Sequence, residues 1–163
     1  SPPMKAQAAL RIGIDLADLI VNSYLSDLSE ADLLHRPGTG CNHINWQMGH
    51  VIASSNQHLA VIDPAAPVPL PAGFAERYAS DKAAVDDPKH WCSREELLAI
   101  YREQRAAVLR LLETLSESDL DRPTGIEYAP TVGALVSMQG GHWIMHAGQW
   151  AVIRRQLGRK PLF

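Results

Sequence analysis

The chain has 163 residues, is 46% hydrophobic and 20% charged, and carries a formal net charge of −3. That length allows one domain, residues 1–163, with a full apolar core, and the charge balance offers nothing to nucleic acid or to an anionic membrane. Two cysteines cannot frame a chain of this size with disulfides, and Ser1-Pro2-Pro3 leads into an amphipathic pattern and not an apolar leader, so a reduced cytoplasmic protein is expected.

Helix is the dominant signal. The first run spans Met4 to Leu25, with Leu10, Ile14, Ala17, Val21 and Tyr24 repeating at three and four to make one apolar stripe. Pro2 and Pro3 suit its entry and would break its interior. A second run starts near His43, after the turn residues Pro37, Gly38 and Gly40, and stops at Asp63-Pro64. Its His50 face also carries Trp46 or Gln47, then Ser54 and Gln57, and is more polar than a plain core stripe. Pro64, Pro67, Pro69 and Pro71 then forbid regular helix, though Phe74 to Ala84 has a weak helical pattern. The connection to Trp91 is long, as in a lid or a cover over one end of the helices.

A third helix begins at Ser93, where Ser93 and Glu96 spell a capping box. Leu97, Ile100, Gln104, Val108, Leu111 and Leu115 form its inner stripe, and Arg102, Glu103, Arg105, Arg110 and Glu113 are expected to face water. A fourth runs from Thr131 to Gln156, with Arg154 and Arg155 at its negative dipole end and Gly158 as the stop. Thr131 to Ile153 is apolar enough to test as a membrane span. Gln139, His142, His146 and Gln149 inside it fit a buried helix better than lipid. One internal echo suggests two related hairpins: Leu28-Ser29-Glu30-Ala31-Asp32-Leu33 before the second helix, and Leu115-Ser116-Glu117-Ser118-Asp119-Leu120 before the fourth.

The inner stripe of the fourth helix reads Leu135, Met138, His142, His146, Gln149, Ile153. Histidines at i and i+4 project from one face. They are either core imidazoles hydrogen-bonded to neighbours or two ligands of one metal ion. Gly140 and Gly141 beside them suit a close backbone approach or a site that needs room. His50, on the second helix, is the third candidate ligand. His43 and His58 fall near the same face but closer to the helix ends, as surface groups or supports for the ligands. His35 and His90 lie in turns and are expected in solvent. Cys41 reads as an ordinary thiol, and Trp143 and Trp150 as packing. Gln149, near one turn beyond His146, could orient an imidazole or make a plain buried hydrogen bond.

Asn42-His43-Ile44-Asn45-Trp46-Gln47-Met48-Gly49-His50 and Gly141-His142-Trp143-Ile144-Met145-His146-Ala147-Gly148-Gln149 together resemble the DinB superfamily of metalloenzymes, and the likeness runs over essentially the whole chain. The resemblance implies an all-α fold, a four-helix bundle with a long connection between helices two and three. It implies a divalent metal held by His50, His142 and His146; from the residues themselves, Gln149, Trp46 and His43 are the supporting or substrate-facing candidates. It also implies a homodimer acting on a small molecule, in the known cases with a low-molecular-weight thiol in S-transfer or isomerisation.

Three neutral imidazoles leave a coordination position open, the pattern of a catalytic site. Zinc or nickel fits such a donor set best, and iron also binds it. A thiol there becomes a thiolate nucleophile. A water there becomes hydroxide, which makes a hydrolase the alternative, with Glu127 and Asp63 as remote candidates for its base. A module that binds metal or ligand without turnover is the third reading.

Overall fold

The computed structural model describes residues 1–163 and contains six α-helices and no β-strand. The four long runs read from the pattern are all present, as α1 (Ala6–Leu25), α2 (Ile44–Ile62), α4 (Arg94–Thr114) and α6 (Val132–Gln156). Two single-turn helices, α3 (Phe74–Arg77) and α5 (Glu117–Leu120), lie in the connections. Of the weak pattern from Phe74 to Ala84, only the first turn is α-helix.

The ends form where the chemistry places them. Ser93 Oγ accepts the Glu96 N–H at 3.1 Å while Glu96 Oε1 accepts the Ser93 N–H at 3.4 Å, closing the capping box. Thr131 caps α6 through the Ala134 N–H, and Gly158 takes the left-handed φ of 80° beyond its end. The internal echo is real in geometry. Ser29 and Asp32 bond each other's backbone N–H at 3.0 and 2.9 Å, and Ser116 and Asp119 do so at 3.1 and 2.9 Å.

Helix α1 packs along α6, and α2 packs against both α4 and α6. Asn45 Nδ2 donates to the Cys92 carbonyl and Gln104 Nε2 to Asn56 Oδ1, so α2 and α4 run parallel. A chain joining parallel neighbours must travel back along the whole 19-residue α2, about 28 Å. This is why the connection from Asp63 to Trp91 is long. It is not a loose lid. Tyr78, within it, is buried against α2, donates its hydroxyl hydrogen to Asn45 Oδ1 at 2.8 Å and accepts the Cys92 N–H at 3.0 Å. A Cβ at Gly49 would lie 2.1 Å from the Tyr78 ring, so only glycine fits there. Asn56 clamps Val68 through both backbone groups, and Trp46 Nε1 holds the Ala79 carbonyl.

The apolar core divides into two clusters, one around Val21, Met48, Leu97, Trp143 and Trp150, the other around Ile14, Leu59, Leu111 and Leu135. A belt of buried polar side chains separates them, including Ser55, His58, Gln104, Arg105 and Gln139. Arg105 therefore departs from its expected place in solvent. It is 8% exposed, because Asp18 of α1 stands opposite, accepting from its Nε at 2.7 Å and from the Tyr101 hydroxyl. A second arginine nitrogen reaches the Gln139 carbonyl at 2.8 Å. A buried guanidinium persists only with such partners. Arg154 behaves alike, 3% exposed against Asp27 and the Tyr24 carbonyl.

Candidate metal centre

The three predicted histidines come together where α2 crosses α6. His142 and His146 project from one face of α6, with ring centroids 5.0 Å apart, and His50 of α2 faces them at 5.6 and 5.7 Å. One nitrogen from each ring lies within 4.8 Å of the other two. In a tetrahedral zinc site such nitrogens stand about 3.4 Å apart, so side-chain adjustments of about an ångström would bring these three to one ion. No carboxylate or thiol belongs to the cluster.

Burial shapes their charge. Desolvation is the main cause holding His142 and His146 down to about 4, each also feeling its imidazole neighbours. His50 is lowered by burial as well. All three are neutral at pH 7 and offer lone pairs.

Hydrogen bonding fixes which nitrogen of His146 does so. Gln47, fully buried on α2, accepts the Trp150 Nε1–H at 3.1 Å through Oε1, and its Nε2 donates to the Asn42 carbonyl at 2.9 Å. An indole can only donate, so that atom of Gln47 is the oxygen. The same oxygen lies 2.8 Å from His146 Nδ1. His146 must therefore carry its proton on Nδ1 and present an unprotonated Nε2, the tautomer a metal requires. His142 Nδ1 is buried with no hydrogen-bond partner. An orphaned buried nitrogen beside two other imidazoles fits a site for a cation. Trp46 stacks on His50, centroids 4.7 Å apart and planes 11° from parallel, and sets the ring's tilt.

The other candidates are placed differently. Gln149 is exposed, neither a buried hydrogen-bonding group nor a partner of His146, and the bond to His146 comes from Gln47 across the seam. A glutamine three residues beyond a ligand shares its side of the helix, but here that position is exposed. Gln47 was visible only as one of two choices on the His50 face. His43 is neither on the surface nor against the cluster. It is 2% exposed and caps α2, its Nδ1 accepting the Trp46 N–H at 3.0 Å, while its ring meets Trp91 edge-on. It reaches the centre only through Trp46. Burial beside the Arg36 charge holds its imidazole down to about 4. His58 is buried too, between Gln139 and Tyr128. His35 and His90 are half-buried, bonded to Gln156 and to the Arg77 carbonyl. Of the two glycines beside the pair, Gly140 serves a close approach, since a Cβ there would lie 3.1 Å from the Gly13 carbonyl of α1, and Gly141 faces open space. Cys41, Asp63 and Glu127 are exposed and outside the cluster.

Two sizeable cavities, of about 400 and 710 Å³, lie elsewhere, beside Arg36 and Cys41 and around the N-terminal prolines. Neither contains a histidine, so the donor set and not cavity size marks the site. No helix is long and apolar enough to cross a membrane.

Fold and site together define an all-helical protein with three imidazoles gathered at one helix crossing. The chain belongs to the DinB superfamily, whose family model matches residues 20–150 and so takes in all three histidines. A solved structure, the crystal structure of a conserved protein from Enterococcus faecalis, superimposes with a TM-score of 0.72 at 16% identity, covering 96% of this chain and 100% of that one. At that identity the likeness speaks for the fold. No curated protein matches the chain.

Proposed function

We propose that residues 1–163 form one four-helix-bundle domain of the DinB type that acts as a divalent-metal-dependent enzyme, using a low-molecular-weight thiol in S-transfer or isomerisation. The observation that carries the reading is the convergence of three neutral imidazoles without a carboxylate. His50, His142 and His146 hold the ion, zinc or nickel by donor preference and iron as a further fit. Such a donor set would leave the ion's double charge uncompensated and a position open, and the ion would there favour the thiolate form of a thiol at neutral pH. Gln47 keeps the His146 proton on Nδ1, Trp46 fixes the His50 ring, and the packed strap through Ala79 keeps Trp46 in place. Hydrolysis through a metal-bound hydroxide is less well supported, because the exposed Asp63 and Glu127 stand apart from the cluster and no carboxylate base adjoins it.

The partners proposed are a small-molecule substrate and a second copy of the chain, in the cytoplasm, with neither nucleic acid nor membrane. Support for the homodimer comes from Ile12, Leu16 and Leu19 on the outer face of α1 and from Met145 and Val152 on the neighbouring α6, each 49–61% exposed.

The test is metal analysis of untagged protein, followed by conjugation of an electrophile with glutathione or bacillithiol. About one ion per chain, lost in His146→Ala with helicity intact, supports the centre. Thiol-dependent turnover supports the reaction, ester cleavage without thiol favours the hydrolase, and metal without turnover leaves a binding module.

A further inference from the structure

The seam between α2 and α6 continues past the three histidines. On α2, His50, Ser54 and His58 succeed one another at one-turn intervals on the side facing α6. On α6, Gln139 lies just under one turn before His142. His58 and Gln139 meet across the seam, with His58 Nδ1 3.4 Å from Gln139 Nε2. Above them sits Tyr128, from the loop between α5 and α6. The residue is 67% exposed, yet its hydroxyl lies 3.0 Å from His58 Nε2 in a part-buried contact.

The protons in this pair can be assigned. Gln139 Nε2 donates to the Leu135 carbonyl at 2.8 Å, and a carbonyl can only accept, so this atom is the amide nitrogen. His58 Nδ1 therefore accepts, and Nε2 carries the ring hydrogen and donates it to the Tyr128 oxygen. The phenolic hydrogen is left with no partner in the protein. Burial lowers the affinity of His58 for a second proton, which keeps this polarity.

The loop that presents Tyr128 is fixed. Thr124 bonds the Pro130 carbonyl, Val132 bonds the Arg122 carbonyl at 2.9 Å, and Ala129 beside Tyr128 is fully buried. A rigid loop thus holds an aromatic ring in solvent with a free donor over the seam. From the helical rise, the hydroxyl stands on the order of 10 Å along the seam from the histidine cluster.

We propose that Tyr128, oriented by His58, is a substrate-recognition residue that donates a hydrogen bond to an acceptor at the far end of a thiol bound at the three histidines. The acceptor would be a carboxylate or amide carbonyl, and the separation suits a thiol of tripeptide size and not a two-carbon one. This rests on the thiol reading of the centre.

The experiment uses the full chain loaded with cobalt(II), whose thiolate charge-transfer absorption reports ligation without turnover. Glutathione and 2-mercaptoethanol are titrated into the wild type, Tyr128→Phe and His58→Gln. Glutathione should bind the wild type at least about tenfold tighter than 2-mercaptoethanol, the worth of one good hydrogen bond. Tyr128→Phe should remove most of that preference and leave 2-mercaptoethanol unchanged. His58→Gln, which can still donate, should retain part of it. Equal affinities for the two thiols, or a preference that survives Tyr128→Phe, overturns the proposal while sparing the thiol reading. No charge-transfer band with either thiol on a cobalt-loaded protein overturns the thiol reading, and the proposal with it.

Discussion

Replacing Gln47 by leucine should weaken metal binding without touching a ligand. Gln47 Oε1 accepts from His146 Nδ1 at 2.8 Å and from Trp150 Nε1 at 3.1 Å, in a fully buried position. Leucine leaves both donors unsatisfied, at about 1–3 kcal/mol each, so folding should lose roughly 2–6 kcal/mol. The His146 ring also loses the acceptor that keeps its proton on Nδ1, and loss of such a support lowers metal affinity by about 10- to 100-fold. Stability and orientation are separated by Gln47→Glu. The carboxylate still accepts from both donors and strengthens the bond to Nδ1–H. It loses the Nε2 donor to the Asn42 carbonyl, so the apo protein should again be less stable than wild type. Urea unfolding of the apo proteins and competitive zinc titration give the two quantities. Both variants should unfold at lower urea, but only Gln47→Leu should bind zinc more weakly. Zinc affinity unchanged in Gln47→Leu, or lowered equally in Gln47→Glu, would refute the tautomer argument.

Acidification should destabilise the apo protein. His43, His142 and His146 are held to about 4 in the fold, against 6.5 as model groups. Between those values the unfolded chain binds more protons, so stability falls as pH drops from about 6.5 to 4. Urea midpoints at pH 7.5 and 5 check this, and His43→Asn, which keeps an N-cap acceptor, should flatten the slope by up to one proton. Among glycines, Gly49→Ala should be severely destabilising because its Cβ would overlap Tyr78, whereas Gly13→Ala meets nothing within 4 Å and should gain about 1 kcal/mol of helix propensity. Thermal melts that rank the two otherwise would contradict the packing. Leu16→Glu with Leu19→Glu should shift the proposed dimer to monomer in sedimentation while metal content stays the same.

What could be read in advance was what a single helix determines. The His142 and His146 pair follows from 3.6-residue periodicity, and the caps at Ser93 and Thr131 from local hydrogen bonding. His50 was legible because its helix face is unusually polar. What failed depended on which helix stands opposite. Arg105 looked solvated because its neighbours Arg102 and Glu103 are, and only Asp18 of α1 makes it a buried residue. Gln149, on the same helix as His146, reads equally as its support or as a plain buried hydrogen bond, and in the structure it is exposed. The actual support, Gln47, belongs to α2, and Tyr128 belongs to a loop with no periodicity at all.

The same distinction says how the centre is built. Two imidazoles belong to α6 and one to α2, while the residue fixing the His146 tautomer comes from α2 and bonds Trp150, inside the larger apolar cluster. A slide of α2 against α6 by even one residue, about 1.5 Å, would break the Gln47 contacts and the imidazole convergence together. Metal affinity and helix register should therefore fall together in core variants that loosen this seam, such as Trp150→Phe, which removes the donor that pins the Gln47 oxygen. In that variant only the Asn42 carbonyl still orients the Gln47 amide, so His146 is freer to move its proton to Nε2, and zinc affinity should drop although every ligand remains. Zinc affinity equal to wild type in Trp150→Phe would mean that His146 keeps its tautomer without the indole.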